Sequence, residues 1–212
     1  MTGRTYGGES ATDRLARRRR QLLLAGLELF GTAGYRSTTV RQLCREARVS
    51  DRYFYEQFDS TEDLLLAVYG ECTNRLEEAA LAALGDRQDP VGQLARRGLD
   101  AFLTVVESDP RLARVVWFEV LGVSTRVEST YLARMQSFGH LMLGVVAERD
   151  GEQPLTEQAR ELLASACAGA VSQSVVTWAS AGFSPPREVV VDALSRFLSG
   201  AAAALLARTA QA

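Results

Sequence analysis

Residues 39–58, TVRQLCREARVSDRYFYEQF, decide how this chain folds at its N-terminal end. Val40, Leu43, Cys44 and Ala47 recur at i, i+3, i+4 and i+7, which is one face of a helix. Thr39 stands where a side-chain oxygen caps a helix start. Arg48-Val49 breaks the pattern, and Ser50 can cap a second helix. In that helix Phe54 and Phe58 are four apart and point inward, with Val49 closing the corner. Asp51, Arg52, Tyr53, Tyr55 and Glu56 are left facing out. Two short helices at a steep angle, the second presenting Arg and Tyr to solvent, fit a helix-turn-helix that lays its second helix in the DNA major groove.

The preceding segment fits this reading. Ser10 or Thr12 can start a helix through LARRRRQLLLAGLELF, in which Leu23, Gly26 and Phe30 form one row and Leu22, Gly26 and Leu29 the next. That helix would cover the buried side of the motif, and Gly31 and Gly34 end it. From Leu22 to Leu66 the chain resembles the DNA-binding domain of the tetracycline-repressor (TetR) family. The matching residues are Leu29-Phe30, Gly34-Tyr35, Thr38-Thr39-Val40, Leu43, Ala47, Val49-Ser50, Tyr55, Phe58, Ser60 and Glu62 to Leu65. The pattern is specific because it fixes spacing over about 45 residues. Three positions depart from it. Arg48 replaces the usual turn Gly, which predicts a turn made without a φ > 0 specialist. Thr61 stands where many members carry a phosphate-contacting Lys, and the second helix starts Asp51-Arg52-Tyr53 instead of with Lys and small residues. The positions expected at DNA are Thr39, Arg41, Ser50, Arg52, Tyr53, Tyr55 and Thr61. Among them Arg52 is the base-reading cation of the second helix, since Arg to guanine is the commonest specific pairing. Tyr55 can donate its hydroxyl to a phosphate.

Charge is distributed as this reading needs. The chain of 212 residues has a net charge of −2, which alone argues against nucleic acid. Residues 1–60, however, hold 11 Arg against 7 acidic residues, whereas residues 61–212 hold 13 against 19. The positive excess lies with the helix-turn-helix. The run Arg17 to Arg20 is read either as a solvated face or as phosphate-contacting. Every basic residue is Arg. Cys44, Cys72 and Cys167 are odd in number, far apart and without metal-ligand spacing, so they read as small buried thiols in a reducing cytoplasm. MTGRTYGGES lacks the apolar core of a signal peptide. Residues 162–186 carry no charge, but their Ser, Thr and Gln content and Pro185-Pro186 favour a helix buried within an assembly over a membrane span.

Downstream the pattern stays helical. Asp59 and Ser60 cap a long connecting stretch to Gly85, with Leu64, Ala67, Val68, Glu71 and Cys72 on one face. Helices are expected over 91–107, from Asp109-Pro110 to near Gly122, over 124–149, and at about 156–181 and 186–208. The fold class is therefore all-α with about nine helices. Residues 1–12 read as a tail, 13–60 as the DNA-binding domain and 61–212 as a helical effector-binding and dimerisation domain. The last two helices are dense in small residues, among them Ala164, Ala168, Gly169 and Ala201 to Ala203. Close helix approach follows from such composition, either within the chain or between copies. The resemblance implies a homodimer through this pair.

The middle helices gather Phe102, Trp117, Phe118, Tyr131, Met135, Phe138 and Trp178, with His140 and Gln173 as sparse polar groups. These residues are core, or together they line a mostly apolar pocket. The resemblance implies a small effector there. No GxSxG, HExxH, P-loop or GxGxxG pattern is present and there is one His, so an enzyme is not expected, nor is a cofactor or metal. The expected function is a cytoplasmic, ligand-responsive regulator, a repressor released from a palindromic operator in double-stranded DNA by an apolar effector. The alternative is a DNA-binding module without a ligand.

Overall fold

The computed structural model describes residues 11–85, 88–147 and 156–207. Of the expected tail, residues 1–10 lie outside the described residues, as does the interval between the helices expected over 124–149 and from about 156. The first helix, α1, already begins within the span read as tail and covers Ala11–Thr32. A 3-10 turn at Tyr35–Ser37 leads to α2 (Val40–Ala47) and α3 (Asp51–Tyr55). Then come α4 (Thr61–Ala82), α5 (Val91–Ser108), α6 (Pro110–Arg114), α7 (Thr125–Ala147), α8 (Glu157–Ser180) and α9 (Arg187–Ala207). No strand occurs among the described residues.

The head is held by its own caps and core. Thr39 forms a reciprocal capping box with Gln42: its hydroxyl accepts from the Gln42 N–H at 3.3 Å, and its own N–H donates to Gln42 Oε1 at 2.8 Å. Leu22, Phe30, Leu43 and Phe54 are fully buried where α1, α2 and α3 meet. The turn does use a left-handed residue, contrary to the expectation for Arg48: that residue itself adopts φ 55°, ψ 42°. The backbone geometry between two fixed helices outweighs the Cβ penalty, which is about 1–2 kcal/mol.

The connecting helix α4 buries Leu64, Leu65, Val68, Tyr69, Cys72 and Leu76. Glu71, expected on that face, is exposed. Ser60 caps α4 by accepting from the Asp63 N–H at 3.1 Å. Beyond it, α5 packs on α4 and α9, while α7 pairs with α8. Gly139 permits the α7–α8 approach, since a Cβ there would lie 2.9 Å from the Ala164 Cα and closer still to its carbonyl.

The single helix expected from Asp109 to Gly122 is divided. After α6 the chain widens into a π-helical segment at Val115–Glu119. Val115, Val116 and Trp117 are all buried, and three successive residues cannot share one narrow α-helical face. The wider π turn accommodates them, while Phe118 stays 40% exposed. Helix α6 packs against α1 so closely that a Cβ on Gly31 would lie 2.8 Å from the Arg111 Cα.

Candidate DNA-binding surface and effector cavity

The outer face of the head carries the residues expected at DNA, several of them already engaged. The Arg52 side chain is 85% accessible, and its Nε donates to Glu56 Oε1 at 3.0 Å. Tyr53 is half-buried: the Arg18 guanidinium lies 3.6 Å above its ring. Tyr55 is 59% exposed and meets Phe54 edge-on. Arg41 and Ser50 are exposed, and Ser50 occupies the N-cap position of α3 without making a side-chain cap bond. Thr39 is exposed but committed to its capping box. Thr61, half-buried, opens α4. Burial, and after it the neighbouring Asp51 carboxylate, pushes the Cys44 thiol up to about 11.

Sequence reasoning placed the arginine run only generally. In the structure Arg18 stacks on Tyr53 and Arg19 lies 4.6 Å from the centre of the Phe58 ring. The start of α1 is thereby pinned to the helix-turn-helix. No sequence signal gives these contacts, because the partners are 35 and 39 positions apart on different helices. The Arg52–Glu56 pair was legible as an i, i+4 spacing.

A second set of polar contacts joins the head to the helices behind it. Arg111 on α6 donates to Glu28 at 2.6 Å and clamps Asp109 at 2.8 Å, holding that carboxyl below its ordinary range. Arg114 donates to the Thr32 carbonyl at 2.6 Å and to Glu119 at 2.8 Å. The other Glu119 oxygen accepts from the Tyr35 N–H at 2.7 Å. Arg36 reaches forward to the Gly122 carbonyl at 2.8 Å, and Arg126 to Asp63 at 2.6 Å. The segment 109–126 therefore grips the head at its hinge side, and none of these partners was identified from sequence.

Behind that segment lies a cavity of about 100 Å³ between α4, α5, α7, α8 and α9. Leu84, Leu94, Leu99, Met142 and Leu198 line it together with Phe102 and Phe138, whose rings stack 5.4 Å apart. The Cys167 thiol is the only hydrogen-bond donor among the side chains of the lining. Of the nine residues expected to form the pocket, Phe102 and Phe138 border this cavity and seven lie elsewhere. Trp117 is buried in the π segment, edge-on to Phe102 at 6.2 Å, with its indole N–H unpartnered. Tyr131 packs near Tyr69, and Met135 accepts a hydrogen bond from Ser172 at 3.4 Å. Trp178 donates to the Pro185 carbonyl at 2.7 Å. His140 sits 3.4 Å from Glu161, outside hydrogen-bonding geometry, and Phe118 and Gln173 are exposed. Helical periodicity separates inside from outside, but not which interior gap a residue faces.

Residues 22–68 match the family model for bacterial regulatory proteins of the tetR family. Over 160 residues the chain is 31% identical to the HTH-type transcriptional regulator TcmR of Streptomyces glaucescens, across 71% of this chain and 68% of that protein. The chain belongs to the tetR family. A second family relative is the HTH-type transcriptional activator FasR of Mycolicibacterium smegmatis, 32% identical over 116 residues; the match spans 54% of this chain and only 52% of FasR. Among solved structures, the fatty acid degradation regulator FadR of Bacillus halodurans superposes with a TM-score of 0.71 at 18% identity, over 86% of this chain and 95% of its own. FadR of Bacillus subtilis, solved in complex with stearoyl-CoA, gives 0.71 at 17% over 85% and 97%. These two share the tetR-family fold. The tetR-family relatives are transcriptional regulators, a non-enzymatic function, so the helix-turn-helix described above is a DNA-binding element.

Proposed function

We propose that this tetR-family regulator is a homodimeric repressor that leaves a palindromic operator when an apolar effector enters the cavity at Phe102 and Phe138. The observation that carries the reading is the cavity itself, roofed by the same helix that begins at the head. Helix α4 starts at Thr61 beside the helix-turn-helix and contributes Ala80 and Leu81 to the lining, with Leu84 just past its end. Phe138 stacks on Phe102, Phe102 meets Trp117, and Trp117 belongs to the π segment whose Glu119 holds the Tyr35 N–H. An effector that parts the two phenylalanines therefore pushes on both supports of the head.

The lining sets the effector's chemistry. With a single thiol as its side-chain hydrogen-bond donor, the cavity takes hydrocarbon, and each methylene buried there contributes about 0.8 kcal/mol. Any charged head of the effector stays outside, because a buried unpaired charge is far too costly. The stearoyl-CoA complex of a protein with the same fold supports an acyl or comparably apolar ligand here.

Dimerisation supplies the palindrome. On α8 the exposed positions Leu162, Ala166, Gly169, Gln173, Thr177 and Ser180 form an uncharged stripe at steps of three and four. On α9, Val189, Ala193, Phe197 and Gly200 continue it. The 18-residue window of α8 that is apolar enough for a membrane span is 39% buried within the chain, and a second copy covering the stripe would bury more. A two-fold dimer presents its recognition helices about 34–36 Å apart, or a multiple. A small rotation of α4 then costs much affinity. In a gel-shift assay with duplexes selected from a random library, the ligand-free chain should bind a palindrome. Long-chain acyl compounds should release it, whereas retention of the operator across an acyl and aromatic panel would favour a regulator without a ligand.

A further inference from the structure

We propose that Glu56 is a specificity-determining residue that positions Arg52 for a guanine and penalises every other register. The inference rests on the reading of Arg52 as a base contact. Its structural basis is the side-chain pair on α3, in which Glu56 Oε1 takes the Nε–H of Arg52 at 3.0 Å. A guanidinium offers five N–H donors in a planar fork. With Nε occupied, the two terminal nitrogens remain, and no partner engages them among the described residues. Those two are the edge that matches O6 and N7 of guanine.

The pair has little to do with fold stability. An exposed i, i+4 ion pair contributes little to stability. Against that stands the repulsion between a carboxylate and phosphate on a surface that must approach DNA. Glu56 is 36% accessible and Arg52 85%, so the pair stands at the outer face of the head. A freely rotating Arg52 would gain from any phosphate within reach. Held by Glu56, it keeps one orientation, and the neutralised pair adds nothing to sequence-independent attraction, which scales with the phosphates neutralised. Glu56 thus lowers non-specific affinity while preserving the guanine contact.

The test uses the full chain and a randomised duplex library. Wild type should enrich a half-site with guanine at one position, and Arg52→Ala should lose preference at that position. Glu56→Gln should lower the guanine preference at the same position about tenfold, within the 1–3 kcal/mol such a contact supplies, and should bind unrelated duplex more tightly. Glu56→Asp keeps the charge but withdraws the carboxylate. It should lower the guanine preference to a similar extent but bind unrelated duplex less tightly than Glu56→Gln, which separates positioning from repulsion. In the Arg52→Ala background Glu56→Gln should leave base preference untouched. An unaltered guanine preference in Glu56→Gln, a change at a different base pair, or the same change without Arg52 would each overturn the proposal. If wild type enriches no sequence, or Arg52→Ala shifts no position, the base-reading role of Arg52 falls first and the proposal with it. Thermal melts of each variant confirm folding.

Discussion

Tyr53 and Tyr55, two positions apart on α3, do different work because their surroundings differ. Tyr53 carries the Arg18 guanidinium on its face and so fixes α1 to the recognition helix. Tyr55 is 59% exposed, with its ring against Phe54. Replacing Tyr55 with Phe should weaken binding to all sequences alike, because a lost phosphate contact carries no base information. Salt-dependent affinity on cognate and random duplex reads this out directly. Arg18→Ala should cost about 0.5–1 kcal/mol of stability, as expected for an exposed cation–π contact. At Arg48 the φ of 55° makes a different forecast: Arg48→Gly should raise the melting temperature, because relief of about 1–2 kcal/mol of left-handed strain exceeds glycine's entropic cost of roughly 0.5–1 kcal/mol. A lower melting temperature would mean that the Arg48 side chain contributes more than its backbone costs.

At the scale of elements, the short helices of the head were legible and the π segment was not. The spacing of Val40, Leu43, Cys44 and Ala47, with Thr39 as cap, is local information that any chain must obey. The division at Val115 depends on α1, α4 and Trp117 competing for one interior, which no window of sequence contains. The same limit applies to the small-residue helices. Ala164 and Ala168 are fully buried inside the chain, whereas Gly169 and Ala166 are exposed. A charge at Ala168 should therefore unfold the protein, while Gly169→Glu should leave the fold and break the proposed dimer; sedimentation beside circular dichroism separates the two. The Asp109–Arg111 clamp adds a pH signature at the junction. Its folded pKa is depressed, so its stabilisation is present above the unfolded value near 3.9 and is lost as pH falls through the lower folded value. Asp109→Asn should remove that acid limb from denaturation curves taken between about pH 2 and 6, with wild type keeping it.

For the whole molecule, the proposed mechanism requires the cavity behind the head to be coupled to the spacing of the recognition helices in a dimer. Two routes leave it: α4, whose far end lines the cavity, and the aromatic series Phe138, Phe102 and Trp117 into the π segment. The sequence supplied the aromatics but not their order, since Trp178 and Tyr131 are aromatic like Phe102 yet are engaged elsewhere. Phe138 is the point where cavity and series meet without touching the head. Phe138→Ala removes one stacked ring, enlarges the cavity, and should cost about 3–5 kcal/mol if the gap does not collapse; its partial burial places the loss toward the lower end. If the protein stays folded, operator affinity without ligand should remain within about threefold of wild type, because the contacts at Glu28, Thr32, Tyr35 and Asp63 are untouched. Effector response should change, with longer or bulkier acyl chains becoming active. Glu119→Gln is the complementary variant. It leaves the cavity intact and weakens the grip on the Tyr35 N–H and Arg114, so effector should still bind while operator affinity falls before any ligand is added. Tryptophan fluorescence titration of effector, run beside gel shifts on both variants, reads binding and release separately. Loss of operator affinity in Phe138→Ala, with a normal response in Glu119→Gln, would reverse the assigned roles and place the coupling outside this series.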